Sequence, residues 1–126
     1  RQLVVERSGD RKNRLNLKTS GLQPLVDVVR LLALERRLRQ TNTLDRILGL
    51  EQSGGLPPTL AGEIRDAFSF MFMLRISNYL AGRSLDRFSF DWLNPELLDP
   101  ARRKALKEAF RAVGRLQELA AEKYGL

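Results

Sequence analysis

Histidine and cysteine are both absent from the 126 residues, and each absence excludes a class of chemistry. Without histidine the chain cannot build a catalytic triad with an imidazole base, and it cannot hold zinc through imidazole nitrogens. Without cysteine it forms no disulfide and offers no thiolate nucleophile. The lack of cysteine fits a reducing compartment, so we expect a cytoplasmic location.

Long apolar runs are also missing. No stretch reaches the roughly 18 to 20 uncharged residues that span a bilayer, so we expect no membrane-crossing helix and no membrane partner. The glycine-rich phosphate-binding loop that ends in Gly-Lys-Ser or Gly-Lys-Thr is absent as well. The chain begins with Arg1 rather than methionine, so we expect it to be one domain of a longer protein.

The charge balance is strongly basic. Lysine and arginine outnumber aspartate and glutamate by 22 to 15, a net charge of +7. Residues 1–18 hold six cations and two carboxylates, and so supply +4 of that total. A basic surface attracts phosphate-bearing partners such as nucleotides, although a merely solvated basic arm explains the same composition.

Short strands are predicted at the N-terminus and helices after it. Residues 2–6 and 13–18 have strand-like patterns, and because an isolated hairpin is marginal we expect a hairpin, an extended arm or pairing with another segment. Start and stop signals predict helices near 22–38, 44–52, 60–80 and 100–124. Pro24 follows a turn at 19–21, Asn42 or Thr43 caps the second helix, and Asp99 caps the fourth. The predicted fold class is mainly α, an antiparallel four-helix-type bundle with a short N-terminal β-hairpin or extended arm.

The first helix is apolar almost all round, which predicts a helix buried between neighbours. Aromatic residues at helical spacing in the third helix, together with a tryptophan after it, are predicted to lie in the core; they are Phe68, Phe70, Phe72 and Trp92. On the fourth helix, exposed charge pairs are predicted; they are Lys104 with Glu108 and Arg111 with Glu118.

Four segments carry a resemblance to a known family. They are LNLKTSGLQPLVDVVRLLALE (15–35), TNTLDRI (41–47), DAFSFMFMLRI (66–76) and ARRKALKEAFRAVGRLQ (101–117). Together they resemble the putative nucleotidyltransferase substrate-binding domain. That helical family sits C-terminal to a nucleotidyltransferase domain similar to the catalytic part of protein-PII uridylyltransferases, and its parent proteins often carry cyclic-nucleotide-binding and CBS domains upstream.

The resemblance implies a division of labour between two domains. Residues 1–18 would be the tail of the preceding catalytic domain, or a β arm, and residues 19–126 the substrate-binding bundle. The family's catalytic domain holds its magnesium nucleotide with a Gly-Ser motif and an Asp-x-Asp pair, neither of which occurs here. We therefore assign the chain no catalytic residue, metal site or cofactor of its own, and expect a Mg-nucleotide only in the parent enzyme. The implied partners are the preceding nucleotidyltransferase domain and a nucleoside triphosphate or a protein acceptor.

Polar residues within the family-like segments are the candidates for binding that substrate; they are Lys18, Arg30, Asn42, Thr43, Asp45 and Arg46. Arg30 is the sharpest, because it interrupts an apolar helix. It either pairs internally with Asp27 or Asp45, or it binds a ligand phosphate through its planar fork. For Asn42, Thr43 and Asp45, helix capping is favoured over binding.

Two other functions fit the sequence. The bundle could be a dimerisation module that transmits signals from CBS or cyclic-nucleotide-sensing domains, which predicts an exposed apolar patch near residues 88–93. It could instead be a basic nucleic-acid-binding bundle that uses the N-terminal arm and the fourth helix, with strong salt dependence. The nucleic-acid reading ranks last, because Glu108, Glu118 and Glu122 interrupt a continuous phosphate track.

Overall fold

The computed structural model describes residues 3–9, 11–81 and 91–126. Within them lie strand β1 (Leu15–Asn16), a π-helical turn (Lys18–Leu22), helices α1 (Gln23–Glu35), α2 (Thr43–Gln52) and α3 (Pro58–Leu80), strand β2 (Trp92–Leu93), a 3₁₀ turn (Pro95–Leu97) and helix α4 (Pro100–Tyr124). The predicted fold class is confirmed, since the helices pack as a bundle beside a small antiparallel sheet. None of the helices in the described part has the length and apolar character that a membrane crossing requires.

Two predicted helix caps are present as hydrogen bonds. Asn42 Oδ1 accepts from the backbone N–H of Asp45 at 2.9 Å, and Asp99 Oδ1 accepts from that of Arg102 at 2.8 Å. Each satisfies one of the N–H groups that a helix leaves unpaired in its first turn. At its other end α1 stops three residues earlier than predicted. Arg37 there adopts a left-handed φ of 58°, and the backbone N–H of Leu38 donates to Ala33 O at 3.0 Å, which ends the helix.

Strand β1 does not pair with the segment just before it, as a local hairpin would require. Leu15 pairs with Leu93 and Asn16 with Trp92, in antiparallel register, so β1 joins a segment some 75 residues later in the chain. No strand forms over the described residues of the predicted segment 2–6; Glu6 makes only an isolated bridge to Lys12. The pairing buries Leu15 and Leu93, which stabilises a sheet too short to persist alone.

The core lies between α1, α2, α3 and α4 and consists of aliphatic side chains. α3 and α4 share the largest helix–helix contact. Glu63 near the start of α3 pairs with Arg115 in the second half of α4, a contact that fits antiparallel neighbours. Fully buried large side chains come from every helix, from the residues before α1 and from the connection between α2 and α3; they are Leu17, Leu25, Val29, Leu32, Ile47, Leu50, Leu56, Ile64, Met71, Leu106 and Leu116.

Several apolar residues predicted to be buried are exposed. On α1, Leu31 and Leu34 are 49% and 56% exposed, so this helix buries one face rather than its whole circumference. Phe68 and Phe70 do pack against the core, and Trp92 is half-buried. Phe72, however, lies at the surface and stacks on Phe68 with ring centroids 5.8 Å apart.

The charge pairs predicted on α4 are not formed either. Lys104 makes no ion pair with Glu108 in the described part of the chain, and Arg111 makes none with Glu118. Arg102, near the start of α4, instead forms an ion pair with Asp99, the residue that caps the helix; its Nε lies 3.7 Å from Asp99 Oδ2. Exposed ion pairs on a protein surface stabilise by only a few tenths of a kcal/mol, so the loss of side-chain entropy readily outweighs them.

Candidate functional site

A groove of about 340 Å³ lies where the N-terminal segment, the π turn, β2 and α4 meet. We call it the β1–α4 groove. Its walls combine apolar and polar side chains; they are Leu3, Val4, Val5, Glu6, Arg14, Leu15, Asn16, Thr19, Ser20, Trp92, Phe110, Val113 and Gln117. A concave apolar surface with a few polar groups is the usual form of a small-molecule site, and this volume falls within the usual range.

The π turn places two hydroxyl groups on the rim of the groove. The predicted turn at residues 19–21 is instead helical and runs directly into α1. Pro24 therefore lies inside a continuous helical segment, where its ring would clash with the carbonyl of Ser20 in a regular α-helix. We attribute the wider π turn to this clash, because a wider turn moves the carbonyl away from the proline ring. Single π turns inside helices occur frequently at functional sites. Thr19 is fixed in the turn by Asn16, whose Oδ1 accepts from the Thr19 N–H at 3.0 Å.

Gly21 lets this turn lie directly on the core. It is buried, and a Cβ at this position would be 2.5 Å from Sδ of Met71 and 3.3 Å from Cζ of Phe110. Any larger residue would push the turn away from α3 and α4. Glycine at this position thus sets the depth at which Thr19 and Ser20 enter the groove wall.

Trp92 forms the opposite part of the rim. Its backbone is held on two sides, by the sheet register with Asn16 and by the side-chain amide of Asn78, which donates to Trp92 O at 3.4 Å. The guanidinium of Arg11 lies 5.0 Å from the centroid of the Trp92 ring, a cation–π contact. Arg11 and Arg14 therefore bring positive charge to a rim that also carries Glu6.

The side chains of the groove suit the binding of a small molecule. Its hydroxyl and amide groups donate and accept hydrogen bonds, its arginine suits an anionic oxygen, and Phe110 with Val113 offers an apolar wall. In the described part of the chain, no three His, Cys, Asp or Glu side chains come together as a metal site would require. The arrangement suits a ligand with one flat or apolar part and one anionic part.

None of the residues predicted from sequence to bind substrate lines the β1–α4 groove. Lys18 is exposed in the π turn, next to the groove residue Thr19. Arg30 follows Lys18 by twelve residues, a separation of roughly 18 Å along the helix axis. The remaining candidates lie at the start of α2, far along the chain from the groove segments; they are Asn42, Thr43, Asp45 and Arg46.

The α2 candidates have visible structural roles. Asn42 caps the helix through its Oδ1, and its Nδ2 donates to Asp45 Oδ2 at 2.6 Å. Arg46 donates from Nε to Gln40 O at 2.9 Å, which ties the preceding loop to the helix. Their role in binding a substrate stays a prediction.

Arg30 does not form the internal ion pair considered for it. Its side chain is exposed on α1, and neither Asp27 nor Asp45 pairs with it in the described part of the chain. Asp27 instead accepts from Gln23 Nε2 at 2.8 Å, within the same helix. Arg30 is thus an available cation on the surface, and its role in binding also stays a prediction.

Most residues of the groove gave no local signal in the sequence. Asn16 and Trp92 meet only through the long-range sheet register, and Gln117 lies far along α4. The one usable signal was the Thr19-Ser20 pair before a proline, inside the segment that carries the family resemblance.

Comparison with protein-family models matches residues 1–124 to the family described as "Putative nucleotidyltransferase substrate binding domain". The match covers nearly the whole chain, including the N-terminal segment that lines the groove. Neither a curated protein nor a solved structure matches the chain.

Proposed function

The chain belongs to the family of nucleotidyltransferase substrate-binding domains, and from that premise we propose that it binds a substrate of a uridylyltransferase-like enzyme in the β1–α4 groove. The observation that carries the proposal is the position of the groove. The π turn contributes Thr19 and Ser20 to the wall of this groove, and it lies within the family-like segment 15–35.

The nucleotidyltransferase domain would pack against the groove side of the bundle. In the family resemblance that domain precedes this one, so it would connect through the segment that includes Leu3 to Glu6, which forms one wall of the groove. Val4 in this wall is 86% exposed, an apolar side chain that a neighbouring domain would cover. The bundle would then close one side of the catalytic cleft and orient the nucleotide or the protein acceptor.

The charges at the rim favour a nucleotide as the substrate. Arg14 in the groove and Lys18 beside it offer charge-assisted hydrogen bonds to phosphate oxygens, while Phe110 and Trp92 offer apolar surface to a base. The catalytic carboxylates and the magnesium ion would belong to the partner domain. Arg30 and the α2 candidates would act only if that domain carries the substrate to their side of the bundle.

Titration calorimetry with UTP and ATP, with and without Mg²⁺, tests the proposal. The variants are Arg14→Gln, inside the groove, and Arg30→Gln, an equal change of charge on exposed α1. We expect a dissociation constant of about 1 mM or lower, weakened about tenfold by Arg14→Gln, as for loss of one charged hydrogen bond, and unchanged by Arg30→Gln. The converse pattern would move the site to α1, and no heat with either nucleotide would contradict nucleotide binding by the chain.

A second candidate function, self-association, is favoured by an apolar face on α3. Five large side chains lie within one 120° sector of its second half and are 43% to 74% exposed; they are Phe72, Met73, Ile76, Tyr79 and Leu80. We call this the α3 face. A patch was predicted from sequence near residues 88–93 instead. Residues 88–90 lie outside the described part of the chain, and Leu93 is buried.

A second copy of the chain would fit the α3 face in antiparallel orientation. With Ile76 on the two-fold axis, Phe72 would meet Leu80 of the other copy and Met73 would meet Tyr79, so the same patch serves both copies. The five side chains expose about 550 Å², at roughly 200 Å² for each large side chain. Two such patches approach the lower limit of specific interfaces, so the dimer would be weak.

Sedimentation equilibrium of Ile76→Glu beside Leu97→Glu tests self-association. Leu97 is 75% exposed in the 3₁₀ turn, away from α3, so the control adds the same charge to another exposed apolar site. We expect a concentration-dependent dimer that Ile76→Glu abolishes and Leu97→Glu retains. A monomer at all concentrations in the unmodified chain would eliminate this function without affecting the groove proposal.

A further inference from the structure

A second concavity, of about 350 Å³, lies on the first half of α4 and is lined by cations. We call it the basic groove; its residues are Pro100, Arg103, Lys104, Lys107 and Arg111. Among the described residues, no carboxylate lines it. The acidic Glu108 lies in a different cavity, between α3 and α4, with Glu63 and Asp66. Glu108 is four residues from Lys104 and three from Arg111, so it borders the basic groove without lining it.

The cations of the basic groove differ from the others on α4 in lacking acidic partners. Arg102 approaches Asp99, Arg115 pairs with Glu63, and Lys123 lies 3.3 Å from a carboxylate oxygen of Glu35. Among the described residues, no ion pair or side-chain hydrogen bond involves the three groove cations after Arg103; they are Lys104, Lys107 and Arg111. The cations of α4 without a partner therefore cluster in one place.

Arg103 anchors one end of the groove. Its Nη2 donates to Leu98 O at 3.0 Å, and its Nε lies 3.4 Å from Pro95 O. These contacts hold the guanidinium against the 3₁₀ turn, and no carboxylate of the described residues forms an ion pair with it. An arginine bound only to backbone carbonyls keeps its full positive charge at the groove wall.

The spacing of the free cations suits a chain of phosphates. Lys104, Lys107 and Arg111 follow one another by three and four residues, so they lie on one helix face with neighbouring Cβ atoms about 5 to 6 Å apart. They extend over roughly 10 Å of the axis. In the absence of an anion, these three positive charges repel one another. An anion with several phosphates would contact all three and remove the repulsion.

We propose that the basic groove binds the phosphate chain of a polyanion, either the triphosphate of a nucleotide or the backbone of a single-stranded nucleic acid. The inference rests on α4 and the adjoining 3₁₀ turn, and it stands whether or not the β1–α4 groove binds substrate. The two grooves lie on different faces of α4, since Phe110, Val113 and Gln117 line the other one.

The test uses inorganic tripolyphosphate and a fluorescein-labelled single-stranded oligonucleotide as probes of the 126-residue chain. A triple variant, Lys104→Gln, Lys107→Gln and Arg111→Gln, removes the groove cations. A control with the same loss of charge changes three exposed cations elsewhere; it is Arg7→Gln, Arg39→Gln and Arg65→Gln. Circular dichroism of both triple variants verifies that the helices are retained.

We expect the groove variant to bind at least one probe about tenfold more weakly, if each contact contributes as an exposed ion pair does. The control should stay within about twofold of the unmodified chain. For the oligonucleotide, the slope of log K against log salt should fall by about 2, as for three lost single-strand phosphate contacts. Binding of tripolyphosphate alone would identify the ligand as the triphosphate of a nucleotide. Binding of the oligonucleotide alone would identify it as a single-stranded nucleic acid. Equal weakening in both variants, or no binding to either probe, would overturn the proposal.

Discussion

Replacing Gly21 with alanine tests whether the π turn is seated on the core as the structure shows. The new methyl carbon would lie 2.5 Å from Met71 Sδ, where an unstrained contact needs about 3.5 to 4 Å. Met71 is completely buried, so it has no solvent-facing space to move into. Phe110 Cζ, at 3.3 Å, blocks a second direction.

The expected loss is the difference between two opposing effects. Overpacking of a core by one methyl group destabilises by about 1 to 3 kcal/mol. Replacing a helical glycine by alanine stabilises by roughly 0.5 to 1 kcal/mol, because the unfolded chain loses freedom. The net result for Gly21→Ala is a loss of about 1 to 2 kcal/mol, which lowers the melting temperature of a chain of this size by about 5 °C.

Thermal and urea unfolding followed by circular dichroism measure the effect, with Gly62→Ala as the matched control. Gly62 also lies in a helix, but the nearest atom to a Cβ there is the guanidinium end of Arg65, at 3.6 Å. Because that side chain can move aside, we expect Gly62→Ala to stabilise by about 0.5 to 1 kcal/mol. The same substitution should thus have opposite signs at the two glycines.

A Gly21→Ala protein as stable as the unmodified chain would refute the close packing of the π turn. The double variant with Met71→Ala localises the clash. Met71→Ala alone should lose about 2 to 5 kcal/mol through its cavity, and adding Gly21→Ala should cost less than in the unmodified chain because the clashing sulfur is gone. Strict additivity would show that the two residues do not touch.

Three further predictions concern single contacts. Asp99→Ala removes the cap of α4 and should lower the free energy of unfolding by about 1 kcal/mol in urea titrations. Arg75→Met leaves the buried carboxylate of Asp91 without the guanidinium 2.5 Å away, and should destabilise by about 1 to 3 kcal/mol, whereas a neutral result would mean that Asp91 is solvated. The Tyr124 hydroxyl donates to Glu35, which lowers the pKa of that carboxyl below 4.5 and raises the pKa of Tyr124 above 10. Stability should therefore fall as pH drops through the lowered pKa and as pH rises through the raised one, and Tyr124→Phe should flatten both limbs of a stability–pH profile.

Local signals in the sequence predicted the start of helices well. Asn42 and Asp99 cap α2 and α4 because a short polar side chain can reach the N–H of a residue three positions later, whatever the rest of the fold does. Pro58 begins α3 and Pro100 begins α4 for an equally local reason, since a first-turn proline lacks only a hydrogen bond that would not form.

Local signals misled at Pro24 because two descriptions fit the same residues. A proline after Thr-Ser-Gly is typical of a turn followed by a helix, yet the chain is already helical before it. Whether residues 19–21 form a turn or a helix depends on Gly21. This residue lies close to Met71 of α3 and Phe110 of α4, which only the packed fold brings there. A contact between residues 50 and 89 positions apart leaves no trace in a local pattern.

Apolar periodicity also failed to predict which apolar side chains are exposed. A helix that is apolar all round fits burial on every side, but this bundle has too few neighbours to cover α1 and α3 completely. Leu31, Phe72 and Ile76 consequently lie at the surface. Whether an apolar face is core or interface is a question of how many elements surround it, and only the packing answers it.

The sequence by itself determined the fold class, the four helices, the caps of α2 and α4, and the family, because these depend on short-range hydrogen bonds, on apolar periodicity and on motifs read directly from the chain. Tertiary structure alone decided the partner of β1, the walls of the β1–α4 groove and which of the α4 cations pair with acids from other parts of the chain. Each of these depends on which distant segments meet, as Asn16 meets Trp92. The free energy that selects such contacts comes from burial of apolar surface, which is non-directional and acts on the whole chain at once.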